Sequence, residues 1–275
     1  MSKATKKDIV KQNENTDLVL DIPFDIGSDI GGGMEGADKD SFAIPFLRVL
    51  QKISPQCDEA DAAYVEGAKG GMLYNSVTNR LYDGKEGVIF LPCAFQRRFL
   101  QWAPRGTDGG FRGELLPEQV ARMRDEGKIV ELDGRLYIPD DNGEVSEKKS
   151  DRVVDTRSHF GLVVEEDSIT QVLLTLSSTQ IKKSKQLMSI LSAAKVKTAA
   201  GLVTPPTWMN QVRITTVLES NDQGSWYGVK FEPAGFVSSK DVYDAGKAFH
   251  EAISAGEAKA NFAESTDAPA NTDKF

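Results

Sequence analysis

Short strand-like patterns separated by tight turns recur along this chain, and their repetition limits the possible fold more than any other feature. Alternating or β-branched segments occupy Ile169 to Leu176 and Met209 to Leu218. Turn sequences such as Asp133-Gly134 and Asn221-Asp222-Gln223-Gly224 leave no room for a crossover helix between neighbouring segments. Because parallel strands need long connections, these turns predict antiparallel pairing.

Three segments have the pattern of helices instead. Pro117 stands at a helix-start position before Val120, and Ser177-Ser178-Thr179 offers a cap for a helix from about Gln180 to Lys195. A last helix is predicted from Ser239 to about Ser254. Strand candidates outnumber these helices, which predicts a mainly β or α+β class, with an OB-like antiparallel barrel elaborated by about three helices as a natural member.

Charge divides the chain into a nearly neutral body and two acidic ends. The net charge of −8 places −4 on residues 1–40 and −3 on residues 251–275, because these ends hold 9 acids against 5 bases and 5 acids against 2 bases. Bulky apolar residues are sparse at both ends. We therefore predict a disordered arm at 1–40, an OB-like nucleic-acid-binding domain at 41–255 and a flexible acidic tail at 256–275.

Composition argues against export, a membrane location and a bound metal. The chain has no apolar run of about 18 residues and no apolar stretch after its basic N-terminus, so we expect a cytoplasmic protein without membrane contact. Cys57 and Cys93 lack metal-ligand spacing. His159 and His250 have no partner motif for acid, base or nucleophilic chemistry. We accordingly expect no cofactor, no metal and no enzymatic activity.

The segment from residue 168 to residue 218 contains no Asp or Glu, although acids make up 41 of the 275 residues. Six bases lie in it, namely Lys182, Lys183, Lys185, Lys195, Lys197 and Arg213. Such a window is typical of a phosphate-binding surface. The alternative is a solvated helix face whose lysines pair with carboxylates from elsewhere in the fold.

A second segment, residues 95–113, alternates aromatic rings with guanidinium groups. It holds four arginines against one acid, Asp108. Single-strand binding combines a cationic groove with flat rings on which bases stack, and this segment has both. Strand alternation would also place Phe95, Arg97 and Phe99 on one face and Arg98, Leu100 and Trp102 on the other, so some of these rings must be core.

Tryptophans beside turns supply a third candidate feature, since Trp208 follows a Pro-Pro turn and Trp226 lies beside a hairpin turn. Packing at the end of the barrel is the alternative for these rings. The candidate phosphate contacts are Arg97, Arg98, Arg105, Arg112, Lys182, Lys183, Lys185 and Arg213. The candidate stacking residues are Trp102, Trp208, Trp226 and Tyr227.

Several stretches of the chain form a recognisable set of motifs, namely Ile44-Pro45-Phe46-Leu47, Gln96-Arg97-Arg98, Leu176 to Ser184, Thr204-Pro205-Pro206 and Ser220 to Gly228. Together they span most of residues 42–255. These stretches resemble a family of single-stranded DNA-binding proteins encoded by tailed bacteriophages. The resemblance implies an accessory role in phage DNA replication or recombination, in the cytoplasm of the host cell. It brings no residue-level binding site.

The sequence leaves two rival functions and one further partner open. A phage structural or scaffold-type protein would use the basic window to contact an acidic protein. A metal-dependent nuclease would use Asp140 and Glu147, since Pro139-Asp140 with Glu147-Lys148-Lys149 imitates the P-D…E-x-K pattern in which two carboxylates hold Mg²⁺. The tail that ends in Phe275 could bind phage replication proteins.

Overall fold

The computed structural model describes most of the chain from residue 43 onward, and a few residues before it. The described residues are 32–33, 35–36, 43–104, 110–199, 201–222 and 224–264. Most of the predicted arm, Arg105 and the tail end with Phe275 lie outside this set. By its internal contacts the chain divides into two units, residues 1–37 and residues 38–275, and the description below concerns the second.

The described residues form thirteen strands and three helices. The strands are β1 (Leu47–Val49), β2 (Leu73–Asn75), β3 (Leu81–Tyr82), β4 (Val88–Trp102), β5 (Phe111–Leu115), β6 (Val130–Leu132), β7 (Arg135–Ile138), β8 (Asp151–Val164), β9 (Ile169–Ser177), β10 (Val196–Thr198), β11 (Gly201–Val203), β12 (Asn210–Asn221) and β13 (Gly224–Phe236). The helices are α1 (Pro117–Asp125), α2 (Ile181–Ala193) and α3 (Lys240–Ala255).

The strands form one large curled antiparallel sheet and two small ones. The large sheet has the order β13-β12-β4-β8-β7-β6, with β5 added to β4 and β9 added to β8. A three-stranded sheet, β1-β2-β3, meets β9 through a parallel bridge between Phe46 and Leu173. This half-barrel with three helices is an α+β fold consistent with the predicted OB-like barrel, so the predicted fold class is confirmed.

Strand β4 is a central strand of the large sheet and pairs with β5, β8 and β12. A bulge at Cys93 shifts its register, so that Pro92 pairs with Gly161 and Ala94 pairs with Phe160. Gly161 is required there, because a Cβ at that position would lie 2.4 Å from the Leu91 carbonyl oxygen and 2.4 Å from the Phe90 ring. The close pairing of β4 with β8 therefore depends on the missing side chain.

Each face of the sheet has its own apolar core. One core contains Phe90 and Leu174, and helix α2 packs into it with Leu187 and Leu191. The other contains Leu91 and is covered by α3. Helices α2 and α3 bury apolar residues at helical spacing against different faces, so the sheet is packed between the two helices.

The helix termini follow the capping signals of the sequence. Ser239 accepts a hydrogen bond from the Val242 amide at the start of α3, and Gly256 ends that helix in the left-handed conformation with φ 73°. Pro117 occupies the first turn of α1. Beyond the predicted end of the domain, Phe262 is 5 % exposed and packs against Phe46 and Phe111.

Candidate nucleic-acid interface

Strand β4 divides the arginine–aromatic segment between two concave regions, as strand alternation predicts. On one face, Arg97 and Phe99 line a cleft of about 830 Å³, here called the arginine cleft. On the other face, Leu100 and Trp102 line a cavity of about 330 Å³, here called the aromatic groove. Val154 lines both regions, so β8 forms part of a thin wall between them.

The acid-free segment contributes to both concave regions at the point where β9 leads into α2. Ser178, Thr179 and Ile181 line the arginine cleft. Ser177, Thr179 and Gln180 line the aromatic groove. The two basic segments of the sequence therefore meet at the start of α2.

The arginine cleft is polar and rich in guanidinium groups. Its described lining includes four arginines, Arg97, Arg124, Arg135 and Arg152, and three acids, Glu131, Asp133 and Asp155. Arg124 reaches Glu131 at 3.1 Å, and both side chains are about half exposed. Arg135 pairs with Glu147. The guanidinium groups thus already have carboxylate partners in the unliganded protein.

Asp155 holds the floor of the arginine cleft together. It accepts hydrogen bonds from Arg97 Nη2 at 2.7 Å and Arg97 Nε at 3.1 Å, and from Arg157 Nε at 3.1 Å. Burial by itself would raise the pKa of Asp155, but the hydrogen bonds from the two arginines lower it below its ordinary value. One ionised carboxylate therefore balances two guanidinium groups, which leaves a positive excess.

The aromatic groove combines rings, apolar residues and uncharged polar groups. Five of its lining residues are aromatic, namely Phe46, Trp102, Trp226, Tyr227 and Phe262. Arg48 supplies one cation and lies 5.1 Å from the centre of the Phe46 ring. None of the described lining residues is an aspartate or a glutamate. Phe46, Trp102 and Phe262 are only 5–6 % exposed, so the half-buried Trp226 and Tyr227 are the rings of this set that a ligand could reach.

Side-chain amides, rather than a neighbouring strand, hold the groove side of β13. The Gln51 side chain donates to the Tyr227 carbonyl oxygen at 2.9 Å and accepts from the Tyr227 amide at 2.8 Å. Gln180 accepts from the Val229 amide at 3.2 Å. Between them Gly228 leaves room for Gln180, because a Cβ there would lie 2.8 Å from Gln180 Nε2. These contacts fix Trp226 and Tyr227 at the edge of the groove.

Glu219, the acid that ends the acid-free segment, joins α2 to the β12–β13 hairpin. It accepts hydrogen bonds from Trp226 Nε1 at 3.1 Å and Gln180 Nε2 at 3.0 Å, and it lies 2.9 Å from Lys183 Nζ. Burial by itself would raise the pKa of Glu219. The hydrogen bonds from Lys183 and Gln180 lower this pKa by more, so it lies below its ordinary value. Lys183 is 16 % exposed and therefore has a structural role here.

The outer face of α2 retains positive charge that Glu219 does not neutralise. Lys182 is 65 % exposed, and its Nζ is 3.9 Å from Glu219, so the pair is loose. Lys185 is exposed one turn later. Among the residues that the structure describes, neither Lys185 nor Lys197 has an ion-pair partner. This face of α2 begins beside Gln180 at the aromatic groove.

Two of the predicted arginines lie near the groove without lining it. Arg98 is opposite Thr156, a groove residue, but its guanidinium donates to the Arg97 carbonyl oxygen and lies 3.8 Å from Glu114. Arg112 is exposed on β5. Both guanidinium groups are at least partly exposed on the outer surface of β4 and β5.

Two other predicted residues lie elsewhere. The Trp208 ring stacks on His250 at 4.5 Å between centroids and approaches Tyr243 at 6.5 Å, under helix α3. Arg213 is exposed on β12 opposite Ile89 and donates to the Glu86 carbonyl oxygen. Neither residue lines the cleft or the groove.

The two carboxylates of the nuclease hypothesis have other partners in their loop. Asp140 accepts hydrogen bonds from the Asn142 and Glu144 amides at 3.0 and 2.9 Å. Glu147 pairs with Arg135. Within the described part of the chain, no group of three or more His, Cys, Asp or Glu side chains could hold a metal ion.

Several residues of both concave regions could not be identified from local patterns. Asp155, Arg124, Arg135 and Arg152 come together from α1, β7 and β8, and Gln51 comes from a loop after β1. Glu219, which contacts the groove residues Trp226 and Gln180, could have been identified from the sequence, because it is the first acid after the acid-free segment.

A family profile described as "Pam3 phage gp34-like protein" matches residues 14–259. The chain belongs to this phage protein family. No curated protein and no solved structure matches the chain. The family match covers the lining residues of both concave regions except Phe262, and it assigns a phage origin without assigning a ligand. Within the described ranges, no helix is long and apolar enough to cross a membrane.

Proposed function

We propose that this phage protein binds single-stranded DNA without strong sequence preference and serves as an accessory protein in phage DNA replication or recombination. The observation that carries the proposal is the aromatic groove, whose edge presents the half-buried rings of Trp226 and Tyr227 and whose described lining has no carboxylate, beside the exposed lysines of α2. Bases would stack on Trp226 and Tyr227 at the groove edge. Phosphates would lie along Lys182 and Lys185.

The lining of the aromatic groove suits a single strand of DNA better than a duplex. In a duplex the base faces are stacked inside the helix, whereas a single strand presents them to flat rings. The groove offers ring faces, the Arg48 cation and uncharged polar groups such as Thr175 and Gln180. Stacking is tolerant of sequence because every base has a π-face, which accounts for the proposed lack of preference.

The proposal is tested by fluorescence anisotropy with labelled single- and double-stranded oligonucleotides over a salt titration. We expect single strands to bind more tightly, with affinity that falls as salt rises. The variant pair Lys182→Glu and Lys185→Glu should weaken binding and reduce the slope of log K against log salt by about 1.4, at about 0.7 for each lost phosphate contact.

Helix α3 offers a matched control. Lys240 and Lys247 are also exposed helical lysines, but each pairs with an acid one turn later, Asp244 and Glu251 respectively. Lys240→Glu with Lys247→Glu should leave the affinity nearly unchanged. Failure of the wild-type protein to retain a single strand at low salt would reject DNA binding and favour the rival role in protein interaction.

The nuclease alternative has its own test, because it requires Mg²⁺-dependent cleavage. Labelled single strands incubated with Mg²⁺ should stay intact if the protein only binds them. Cleavage that disappears in Glu147→Ala would establish the rival instead.

A further inference from the structure

The arginine cleft is not needed for stacking, and it lies on the opposite face of β4 from the aromatic groove. Its volume of about 830 Å³ would admit a phosphate group with the adjoining sugar. Its walls come from α1, the β6–β7 hairpin and β8, and four guanidinium groups line it. Planar guanidinium groups bind phosphate oxygens in pairs, which makes arginine suited to phosphate recognition.

The start of α2 strengthens the preference of the cleft for an anion. Ser178 and Thr179 line the cleft and belong to the 3₁₀ turn Ser178–Gln180, which leads directly into α2. Within the described chain, the turn has no side-chain cap on its first amides, whereas the Ile181 amide at the start of α2 donates to the Ser178 carbonyl oxygen. The first amides of the turn and the dipole of α2 both favour negative charge at this end.

The existing ion pairs determine which phosphate could enter. Arg97, Arg124 and Arg135 already hold carboxylates, so an incoming anion must compete with them. An internal phosphodiester carries one negative charge, as a carboxylate does. A terminal phosphomonoester carries close to two at neutral pH and has three free oxygens, so it competes better for the guanidinium groups.

We propose that the arginine cleft binds the terminal phosphomonoester of a DNA strand whose neighbouring nucleotides lie in the aromatic groove. This inference rests on the proposed DNA binding and adds recognition of a strand end. Thr179 and Val154 line both concave regions, so a strand would cross from groove to cleft over this wall. The 5′ and the 3′ end share the phosphate chemistry, and the experiment distinguishes them.

The test compares oligonucleotides of one sequence that carry a 5′-phosphate, a 3′-phosphate or hydroxyls at both ends. We expect one phosphorylated form to bind about tenfold more tightly than the hydroxyl form, as one charge-assisted hydrogen bond gained beyond those lost from the displaced carboxylates would give. Equal binding of all three forms would overturn the inference and leave the proposed function standing. Absence of binding by all three would reject the proposed function itself.

A variant pair locates the effect. Arg124→Gln with Arg135→Gln removes two cleft guanidinium groups that lie on α1 and β7, away from the aromatic groove. This double variant should lose the preference for the phosphorylated end and keep its affinity for the hydroxyl form. If it kept the full preference, the terminal phosphate would bind elsewhere and the inference would be wrong.

The matched control removes two exposed charges from the same region outside the cleft lining. Arg122→Gln with Lys128→Gln changes α1 and the loop after it. We expect this control to keep the tenfold preference. If the cleft variant does not fold, the comparison of the three oligonucleotides on the wild-type protein still decides between the outcomes.

Discussion

The arginine cleft and the aromatic groove share a wall and differ in how they treat charge. In the cleft, Arg97, Arg124 and Arg135 are paired with carboxylates, and the partner of Arg97, Asp155, comes from a distant part of the chain. In the groove, none of the described lining residues is a carboxylate, and the nearby Glu219 is bound to Trp226, Gln180 and Lys183. An anion in the cleft has to displace a bound carboxylate, whereas the lining of the groove holds none. Under the proposed function, the two regions on opposite faces of β4 would therefore make two kinds of anion contact.

Helices α2 and α3 repeat the contrast on the outer surface. The exposed lysines of α3 pair with acids one turn away, and such pairs stabilise a helix slightly without creating a binding face. On α2 the exposed Lys182 is 3.9 Å from Glu219, about as far as Lys247 is from Glu251, but Glu219 is already paired with Lys183, and Lys185 has no ion pair within the described residues. Positive charge in the sequence therefore indicates a binding surface only where the fold leaves it unpaired.

The largest expected effect separates the two tryptophans of the groove. Trp102 is 5 % exposed and packs edge-on against Phe111, with 5.7 Å between ring centroids. Trp102→Ala should lower the free energy of unfolding by about 3–5 kcal/mol, because it leaves a large cavity in the core. Urea denaturation measures this loss.

Trp226→Ala should reduce the affinity for single-stranded DNA more than it reduces the stability of the fold. Trp226 is half-buried at the groove edge and its Nε1 donates to Glu219, so its loss should cost only about 1 kcal/mol of stability. Single-strand affinity should fall by about 1–3 kcal/mol through lost stacking. An affinity unchanged in Trp226→Ala would mean that the groove edge does not contact bases.

A pH-dependent effect concerns the attachment of α2, on which both regions depend. His159 Nε2 lies 2.8 Å from the Ser184 hydroxyl in α2, and burial lowers the pKa of His159 to about 4. The unfolded chain takes up this proton near pH 6.5, whereas the folded protein takes it up only near pH 4. Stability should therefore be complete above pH 6.5 and fall by about 3 kcal/mol between pH 6.5 and 4.

Denaturation at pH 7 and pH 4 checks this expectation with two variants. His159→Gln should lose less stability between the two pH values than the wild type, because the titrating ring is gone. His250→Gln, on α3, should retain the wild-type difference. Identical behaviour of His159→Gln and wild type would show that α2 is not held by a neutral His159.

Regular elements of the fold could be predicted from local patterns. The β12–β13 hairpin turns at Asn221–Gly224 as its turn sequence predicts, and α3 lies within a residue or two of its predicted bounds. The first half of β8 was different. It begins at Asp151, where charged residues such as Asp155 and Arg157 have the composition of a loop and give no local strand signal.

The candidate site was predictable only in part, because its charge balance depends on pairs that are distant in sequence. Arg97 meets Asp155 across 58 residues, and Gln51 meets Tyr227 across 176. Local composition identifies the bases and rings but not their partners. The β-bulge at Cys93 is another tertiary feature without a sequence signal, and with β4 it sets the positions of the arginines and aromatics that follow.

Photo-cross-linking tests the central claim most directly. A single strand that contains 5-bromodeoxyuridine is bound, irradiated and digested, and the attached peptides are identified by mass spectrometry. The account predicts cross-links at Trp226 and Tyr227 in the aromatic groove, and none at Trp208 or Tyr243 under α3. Cross-links confined to Trp208 and Tyr243, or no cross-link at all, would contradict it.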